Sequence, residues 1–411
     1  MITTIFHHMA KVMLIYLLGF LVFAGFALTF VRASVDDDGL YYYAFLRRLF
    51  GVDTPAFAFQ FGSAFWSAPF WLASQLVALR GELGYYRAGE VGVTIAASAA
   101  VIVCTYLGWR ILRELDLPRG ATVLMLGVFG TPLWFYAVSS PSYKHAADTL
   151  YLTAAFFFLQ RLLDVPRLRH AAAASCCLGL LLTTRYVNVA VLAGVVVALG
   201  ARAHRRMLVQ VVVLTGMVAA LLYAVPALRG MPYHRPADLP FNTFQGMDGP
   251  APAFNAAEAT FAASGPVQIV REHVHLDLLA PYKMLFTLHR GLFVWTPLTA
   301  VALVGFVLLL RDEPRHRRFL GGLGVAALAL LETHVLYGRN LWDGGGAYSA
   351  RFLTALFPLY VIGLAEAIRD ELTGPLQPAP SHVTHLLISD HTDSANGSAT
   401  IRNACATTTR S

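Results

Sequence analysis

The sequence contains few charged residues and few cysteines. Only 13% of its 411 residues are charged, whereas 57% are hydrophobic, which is far from the balance of a soluble domain. Three of the four cysteines lie inside apolar segments, where cysteine packs as a small hydrophobic residue. A nucleophile elbow, a P-loop and a His-Glu-x-x-His pair are also absent from the sequence. These absences exclude a disulfide framework and the commonest soluble catalytic signatures.

The apolar residues fall in blocks of the length that spans a bilayer, about 20 residues. Acidic residues follow the first block without a small-residue cleavage site, so we expect a retained span rather than a signal peptide. The blocks predict an all-α polytopic membrane protein of about ten transmembrane helices. The predicted spans are 9–31, 91–112, 121–138, 146–163, 171–183, 187–200, 207–228, 292–310, 319–336 and 352–368.

The basic residues predict which side of the membrane each connection occupies. With a cytoplasmic N-terminus and alternating spans, four connections lie on the cytoplasmic side: "RELDLPR", "RLLDVPRLRH", "ARAHRR" and "RDEPRHRR". The positive-inside rule favours this orientation. The arginines form neither a single stripe nor a basic arm, so we interpret the net charge of +7 as a topology signal and not as a nucleic-acid-binding surface.

This topology requires a particular interpretation of two apolar segments. Segment 62–79 contains a proline and two tryptophans, which favours a helix at the membrane interface over one that crosses. Segment 171–200 is divided by Arg185 and Asn188 into two pieces shorter than a normal span, and we expect two short helices with Arg185 at the outer turn.

The predicted membrane domain covers residues 1–368, and unusual polar residues gather in its outer loops. These loops are 32–90, 139–148, 229–290 and 337–351. The remaining residues, 369–411, are polar, lack a core-forming pattern and are predicted to be disordered. In the third loop, "REHVHLD" places His273 and His275 at alternate positions, which on a strand point the same way. They are candidates for a metal site, although two histidines alone do not define one.

The acidic stretch "SVDDDGLYYY" follows the first predicted span. It contains Asp36, Asp37 and Asp38, with Tyr41 in the aromatic run that follows. Two interpretations stay open on the residues alone. The acids either form a solvated cap on the span, or they place a general base where an acceptor hydroxyl meets the membrane surface.

Two other outer loops carry cations. The stretch "PSYKHAAD" supplies Lys144, His145 and Asp148, for which a local Lys144–Asp148 ion pair is the simpler alternative. The stretch "RNLWDGGGAYSAR" supplies Arg339 and Arg351 around a run of glycines. Glycine allows the backbone to approach a ligand closely and an arginine fork suits phosphate oxygens, but the same stretch also suits a tight re-entry turn.

Taken in order, these stretches resemble the GT-C superfamily of glycosyltransferases, the polytopic enzymes that use polyprenyl-phosphate-linked sugars. The layout is most similar to that of protein O-mannosyltransferases and lipid A aminoarabinose transferases, and the resemblance extends to about Ile368. It consists of the Asp37–Asp38 pair with Tyr41, the interfacial segment 62–79, "GTPLWFYAVSSPSYKHAAD", "TTRYVN", "HRGLFVWTPL" and "GGGAYSARFL".

The resemblance implies a GT-C-like bundle and inverting transfer at the anomeric carbon. It implies that Asp37 deprotonates the acceptor, while Asp38 positions that base or helps to hold a divalent metal in members that use one. Asp36 receives no role. The leaving lipid phosphate needs nearby cations, for which the candidates are Arg185, Arg339, Arg351, Lys144 and His145, with Asp148 and Tyr41 as further site residues.

The expected partners are a polyprenyl-phosphate sugar and membrane lipids, with no cofactor except a divalent metal. The composition suits a bacterial inner membrane, with the active site on the outer face. A polytopic transporter or lipid flippase is the rival interpretation, and an inactive membrane scaffold is a third. Transporters place functional charges near the midplane, whereas the candidate charges here cluster at one face, which favours an interfacial enzyme.

Overall fold

The structure, a computed structural model, describes residues 35, 38–52, 56, 60–79, 84–118, 120–231, 279–338 and 350–369. Over these ranges the chain is helical and contains no β-strand, which confirms the predicted all-α class. The helices are α1 Asp38–Leu49, α2 Gly62–Ala78, α3 Tyr85–Glu114, α4 Ala121–Phe129, α5 Leu133–Val138, α6 His145–Asp164, α7 Leu168–Thr184, α8 Val191–Leu199, α9 Arg205–Leu228, α10 Ala280–Phe286, α11 Leu292–Trp295, α12 Leu298–Asp312, α13 Arg317–Gly338 and α14 Phe357–Ala367, with 3₁₀ helices at Tyr186–Ala190, Arg202–His204, Pro314–His316 and Arg351–Leu356.

Three stretches of helix are long and apolar enough to cross a membrane. Within the described ranges they are Arg87–Glu114, Arg202–Leu228 and Pro314–Leu336. Of the most apolar window in the second stretch only 11% is buried, and Met217 and Leu221 of α9 are exposed. Such a surface suits contact with lipid rather than with water.

Two of the predicted spans are broken into consecutive shorter helices. Span 121–138 becomes α4 and α5, which are separated at Gly130 to Pro132, and span 292–310 becomes α11 and α12, which are separated at Pro297. Proline has no backbone N–H and cannot continue the hydrogen bonds of a preceding helix, so each break falls at a proline. The first predicted span, 9–31, lies outside the described residues.

The four basic connections lie at one end of the helices, which we call the basic end. Arg161 of α6 forms an ion pair with Glu114 at the end of α3. Arg315, between α12 and α13, lies 3.7 Å from Asp116, between α3 and α4. The end of α8 lies against the start of α13, because Ala198 contacts the position of Gly322. The grouping agrees with the alternation predicted from charge.

The chain reverses direction at Arg185. Helix α7 leaves the basic end and stops at Thr184, and Arg185 has extended backbone angles (φ −151°, ψ 129°) before the 3₁₀ turn Tyr186–Ala190. Helix α8 then returns along α13, with the backbone of Gly194 against that of Gly322. Only glycine allows two helix backbones to approach so closely. The prediction of two short helices divided at Arg185 is therefore confirmed.

Helix α2 runs antiparallel to the first half of α3. The indole Nε1 of Trp66 donates to the carbonyl oxygen of Ala96 at 2.7 Å, and the side chain of Gln75 donates to the carbonyl oxygen of Tyr85 at 3.1 Å. Contacts therefore lie in the part of α3 farthest from the basic end. This position fits the predicted interfacial helix.

Helix α6 is the centre of the packing. Nearly every one of its residues is buried, and it contacts α3, α7 and the 3₁₀ helix Arg351–Leu356. Because α6 starts at the end opposite the basic end, its first turn carries polar residues into the interior there. The candidate site is built around that turn.

Candidate functional site

A buried polar cluster lies at the end opposite the basic end. It comprises Lys144, Asp148, Arg185, Asn188, His334 and Arg351, together with the neighbouring His145. These residues come from the start of α6, the turn after α7, the last turn of α13 and the 3₁₀ helix before α14. Four separate lengths of chain therefore converge where sequence analysis predicted only separate outer loops.

The centre of the polar cluster is an ion pair between Arg185 and Asp148. Arg185 Nη1 lies 3.3 Å from Asp148 Oδ2, and both side chains are almost completely buried. Asn188 Nδ2 donates to Asp148 Oδ1 at 2.5 Å and to the carbonyl oxygen of Leu181 at 3.0 Å. Both carboxylate oxygens are thus engaged, as a buried charge requires. The ion-pair partner of Asp148 is thus Arg185, and Lys144 adds a further electrostatic interaction with the same carboxylate.

His334 holds the other side of the Arg185 guanidinium. His334 Nδ1 lies 2.6 Å from the carbonyl oxygen of Leu330, and this acceptor requires the proton on Nδ1. Nε2 then presents its lone pair and accepts from Arg185 Nη2 at 2.5 Å. The ring of Phe352 stacks on His334 at 4.6 Å between centroids and lies 4.8 Å from Arg185 Cζ. The guanidinium is therefore fixed in its plane.

Lys144 and Arg351 extend the polar cluster toward aromatic side chains. Lys144 Nζ contacts Gln60 Oε1 and lies 5.4 Å from the centroid of the Tyr42 ring. Arg351 Cζ lies 5.8 Å from the ring centroid of Tyr143. Both distances are within the range of a cation–π interaction. Arg185 interacts electrostatically with Arg351, and Asp148 with Lys144, so the cations share one electrostatic environment.

His145 packs between two tyrosines beside these cations. Its ring lies 4.4 Å from that of Tyr136 and 6.2 Å from that of Tyr143, between centroids. The side chain is 1% exposed, and none of the described residues forms a hydrogen bond with its Nε2 atom. A buried polar atom without a partner is unusual in a folded protein and is typical of a position that a ligand completes.

Burial shifts the pKa of two side chains around the site without changing their ionisation at neutral pH. Burial lowers the pKa of the Arg185 guanidinium, while Asp148 raises it in compensation. Arginine stays charged in proteins, so the pair remains ionic. Burial also raises the pKa of Tyr43, in α1, to about 12, so its phenol stays protonated at neutral pH.

Helix α1, which begins at Asp38, packs beside the turn that carries Lys144. A Cβ atom at Gly39 would overlap the side chain of Ser142, so the first turn of α1 lies directly against that turn. The backbone N–H of Val35 donates to Glu90 Oε1 at 3.1 Å. Val35 is thus held by α3, and the first turn of α1 is held by the turn before α6.

The structure brings together five of the residues predicted from sequence: Lys144, His145, Asp148, Arg185 and Arg351. Tyr41 lies in α1 beside Tyr42, whose ring contacts Lys144. Outside the described residues lie Asp36, Asp37, Arg339, His273, His275, the side chain of Asp38 and the predicted tail beyond Arg369. In the part of the chain that the structure describes, no group of three or more His, Cys, Asp or Glu residues is arranged to hold a metal.

Sequence analysis missed Asn188, His334 and Glu90. The available signal was their position, because each is a polar residue at or inside an apolar block. An ionisable residue such as His334 within a predicted span is a functional hypothesis by default. Neither a protein-family model nor a curated protein matches this sequence. The site is therefore interpreted from its own chemistry.

Proposed function

We propose that the protein is a GT-C-like glycosyltransferase of about ten transmembrane helices, with its site on the outer face of a bacterial inner membrane. It transfers a sugar from a polyprenyl phosphate to a lipid, glycan or protein acceptor with inversion. The observation that carries the proposal is the convergence of Lys144, Arg185 and Arg351 at the end opposite the basic connections.

The polar cluster supports phosphate as the group that binds. Arginine forks and a lysine ammonium are the side chains best suited to phosphate oxygens. The N-terminus of α6, 20 residues long, adds the positive end of its dipole beside Lys144. Charge that develops on a leaving phosphate is stabilised most by donors that are already fixed, as His334 and Asp148 fix Arg185.

The proposed reaction is a direct displacement. The acceptor hydroxyl oxygen attacks the anomeric carbon, and Asp37 takes the hydroxyl proton. The bond from that carbon to the phosphate oxygen breaks, and the lipid phosphate leaves with the electron pair. Asp38 positions the base.

The position of the charges also bears on the transporter alternative. Transporters place coupling charges near the midplane on broken helices. In the described helices, the polar cluster lies at the start of α6 and at the ends of α7 and α13. Charges at helix ends support an interfacial enzyme rather than a carrier.

The test is transfer by the purified protein in liposomes. Polyprenyl phosphates that carry different labelled sugars are supplied from the outer side, and release of lipid phosphate is measured. We expect turnover that Asp37→Asn abolishes and that the neighbouring Asp36→Asn, the matched control, retains. Turnover that survives Asp37→Asn removes this residue as the base. Movement of a labelled lipid across the bilayer without any sugar transfer supports a flippase instead.

A further inference from the structure

Two arginines, Arg110 and Arg113, lie one turn apart where α3 reaches the basic end. The carboxylate in the same turn, Glu114, forms an ion pair with Arg161 of α6 and interacts with Arg110 at longer range. Within the described ranges, neither Arg110 nor Arg113 forms an ion pair with a carboxylate. The two guanidiniums therefore carry positive charge that the described part of the chain does not pair.

Aromatic side chains hold these two guanidiniums in place. Arg110 Nη1 donates to the hydroxyl oxygen of Tyr106 at 2.8 Å, and Arg110 Cζ lies 5.6 Å from the ring centroid of Phe157 in α6. Arg113 Cζ lies 5.8 Å from the ring centroid of Trp109. The rings of Trp109 and Tyr106 stack on each other at 6.0 Å between centroids. The cations are thus positioned by neutral groups, which leave their charge intact.

A buried donor at this place has no partner in the described structure. The Nε atom of Arg110 is inaccessible to solvent, and none of the described residues forms a hydrogen bond with it. The same is true of Nε of Arg161, whose Cζ lies 5.4 Å from the ring centroid of Phe157. Buried donors are nearly always paired in folded proteins, and a guanidinium pairs best with two oxygens of one anion. Phosphate oxygens suit these donors.

An exposed apolar stripe leads along α3 to the two arginines. Ile95 and Tyr106 are 51% and 46% exposed, and both lie in the stretch Arg87–Glu114 that is long and apolar enough to cross a membrane. Ile95 lies about three turns before Tyr106, and Arg113 lies about two turns after it, so all three share one face of the helix. Tyrosine and tryptophan favour the level where acyl chains meet headgroups. The stripe therefore offers contact for an acyl chain, followed by cations for a headgroup.

We propose that this face of α3 binds an anionic phospholipid, whose phosphate lies on Arg110 and Arg113 and whose acyl chain lies along Tyr106 and Ile95. Basic side chains at the membrane surface attract anionic headgroups, whereas a zwitterionic headgroup brings an ammonium that unpaired guanidiniums repel. A soluble phosphate ester leaves the apolar stripe without a partner. The lipid site lies at the end opposite the polar cluster and does not depend on the proposed function.

The test measures lipid affinity by native mass spectrometry of the full-length protein in detergent. Phosphatidylglycerol is compared with phosphatidylcholine of the same acyl chains, and we expect the wild type to bind phosphatidylglycerol about tenfold more tightly. Arg110→Gln combined with Arg113→Gln is expected to weaken phosphatidylglycerol binding about tenfold and to leave phosphatidylcholine binding unchanged. Arg205→Gln combined with Arg206→Gln removes the same charge from exposed positions at the basic end and is the matched control, which we expect to keep the preference.

A second variant keeps the proposal testable if the glutamine pair does not fold. Arg110→Lys combined with Arg113→Lys keeps both charges but removes the planar fork, and it is expected to weaken phosphatidylglycerol binding about threefold. Equal affinities of the wild type for the two lipids overturn the proposal. An equal loss in the control pair also overturns it, because the attraction is then general to the basic end. Displacement of phosphatidylglycerol by glycerol 3-phosphate overturns the assignment of a lipid.

Discussion

Removal of Arg185 separates what the ion pair does for folding from what it does for the reaction. Arg185→Met removes the ion-pair partner of the buried Asp148 carboxylate and leaves it the hydrogen bond from Asn188 and a longer-range interaction with Lys144. Asp148→Val leaves the buried guanidinium with His334 and a backbone carbonyl. The double variant removes both charges. We expect the double variant to lose much less stability than the sum of the two single losses, because each single variant leaves one buried charge without its ion-pair partner.

The size of the coupling free energy between Arg185 and Asp148 follows from the 3.3 Å separation of Arg185 Nη1 and Asp148 Oδ2. At an effective dielectric constant of about 20, that distance corresponds to about 5 kcal/mol of attraction. Breaking a buried pair by removing one partner typically costs about 3–5 kcal/mol, whereas apolar replacement of both partners is often close to neutral. A coupling free energy of about 3 kcal/mol or more is therefore expected from the double-mutant cycle.

Two assays are needed on the same four proteins. Equilibrium unfolding in mixed detergent micelles, followed by far-ultraviolet circular dichroism, gives the coupling free energy. Release of lipid phosphate gives the activity. We expect the double variant to regain most of the stability and none of the turnover, because Arg185 also binds the phosphate in the proposed reaction. Stabilities that add within about 0.5 kcal/mol refute the ion pair, and turnover that returns with stability refutes the phosphate role.

Other side chains of the site lead to three further predictions. His334→Leu removes the acceptor that holds the buried guanidinium and is expected to lower turnover about 10- to 100-fold, whereas His334→Gln retains an acceptor and most of the rate, as measured by initial rates. Glu90→Ala leaves the buried N–H of Val35 without its acceptor and is expected to cost about 1–3 kcal/mol in detergent unfolding, with a smaller loss for Glu90→Gln. Gly305→Val pushes α12 away from the backbone of α14 and is expected to cost about 1–3 kcal/mol, whereas Gly216→Val, at a position with open space around it, is the control.

Each of these predictions has an opposing outcome. Equal loss of turnover in both His334 variants contradicts the acceptor role and leaves only packing. Full stability of Glu90→Ala contradicts the anchoring of Val35. Equal unfolding free energies for the two glycine variants contradict a close approach of α12 and α14.

The helical class and the division at Arg185 were predictable because both depend on local pattern. Apolar blocks of helix length predict helices, and a charged residue inside such a block predicts a break. The partner of Asp148 was not predictable in this way. Local spacing favoured Lys144 four residues earlier, but Arg185, 37 residues later, forms the pair. That choice depends on which helix ends meet, and His334 in α13 joins the polar cluster for the same reason.

The contact between α8 and α13 has a consequence for biogenesis. Helix α8 is nine residues long, about 14 Å, which is less than half of a hydrocarbon core about 30 Å thick. The described structure places its glycine backbone against α13, a helix that the ribosome makes much later. The pair α7 and α8 is therefore synthesised before its packing partner exists, and we expect it to reach its final packing only after α13 has been made. Arg185 can contact His334 only after α13 has been made, so the polar cluster is completed late in synthesis. A truncated chain that lacks α13 is expected to expose α8 to membrane proteases.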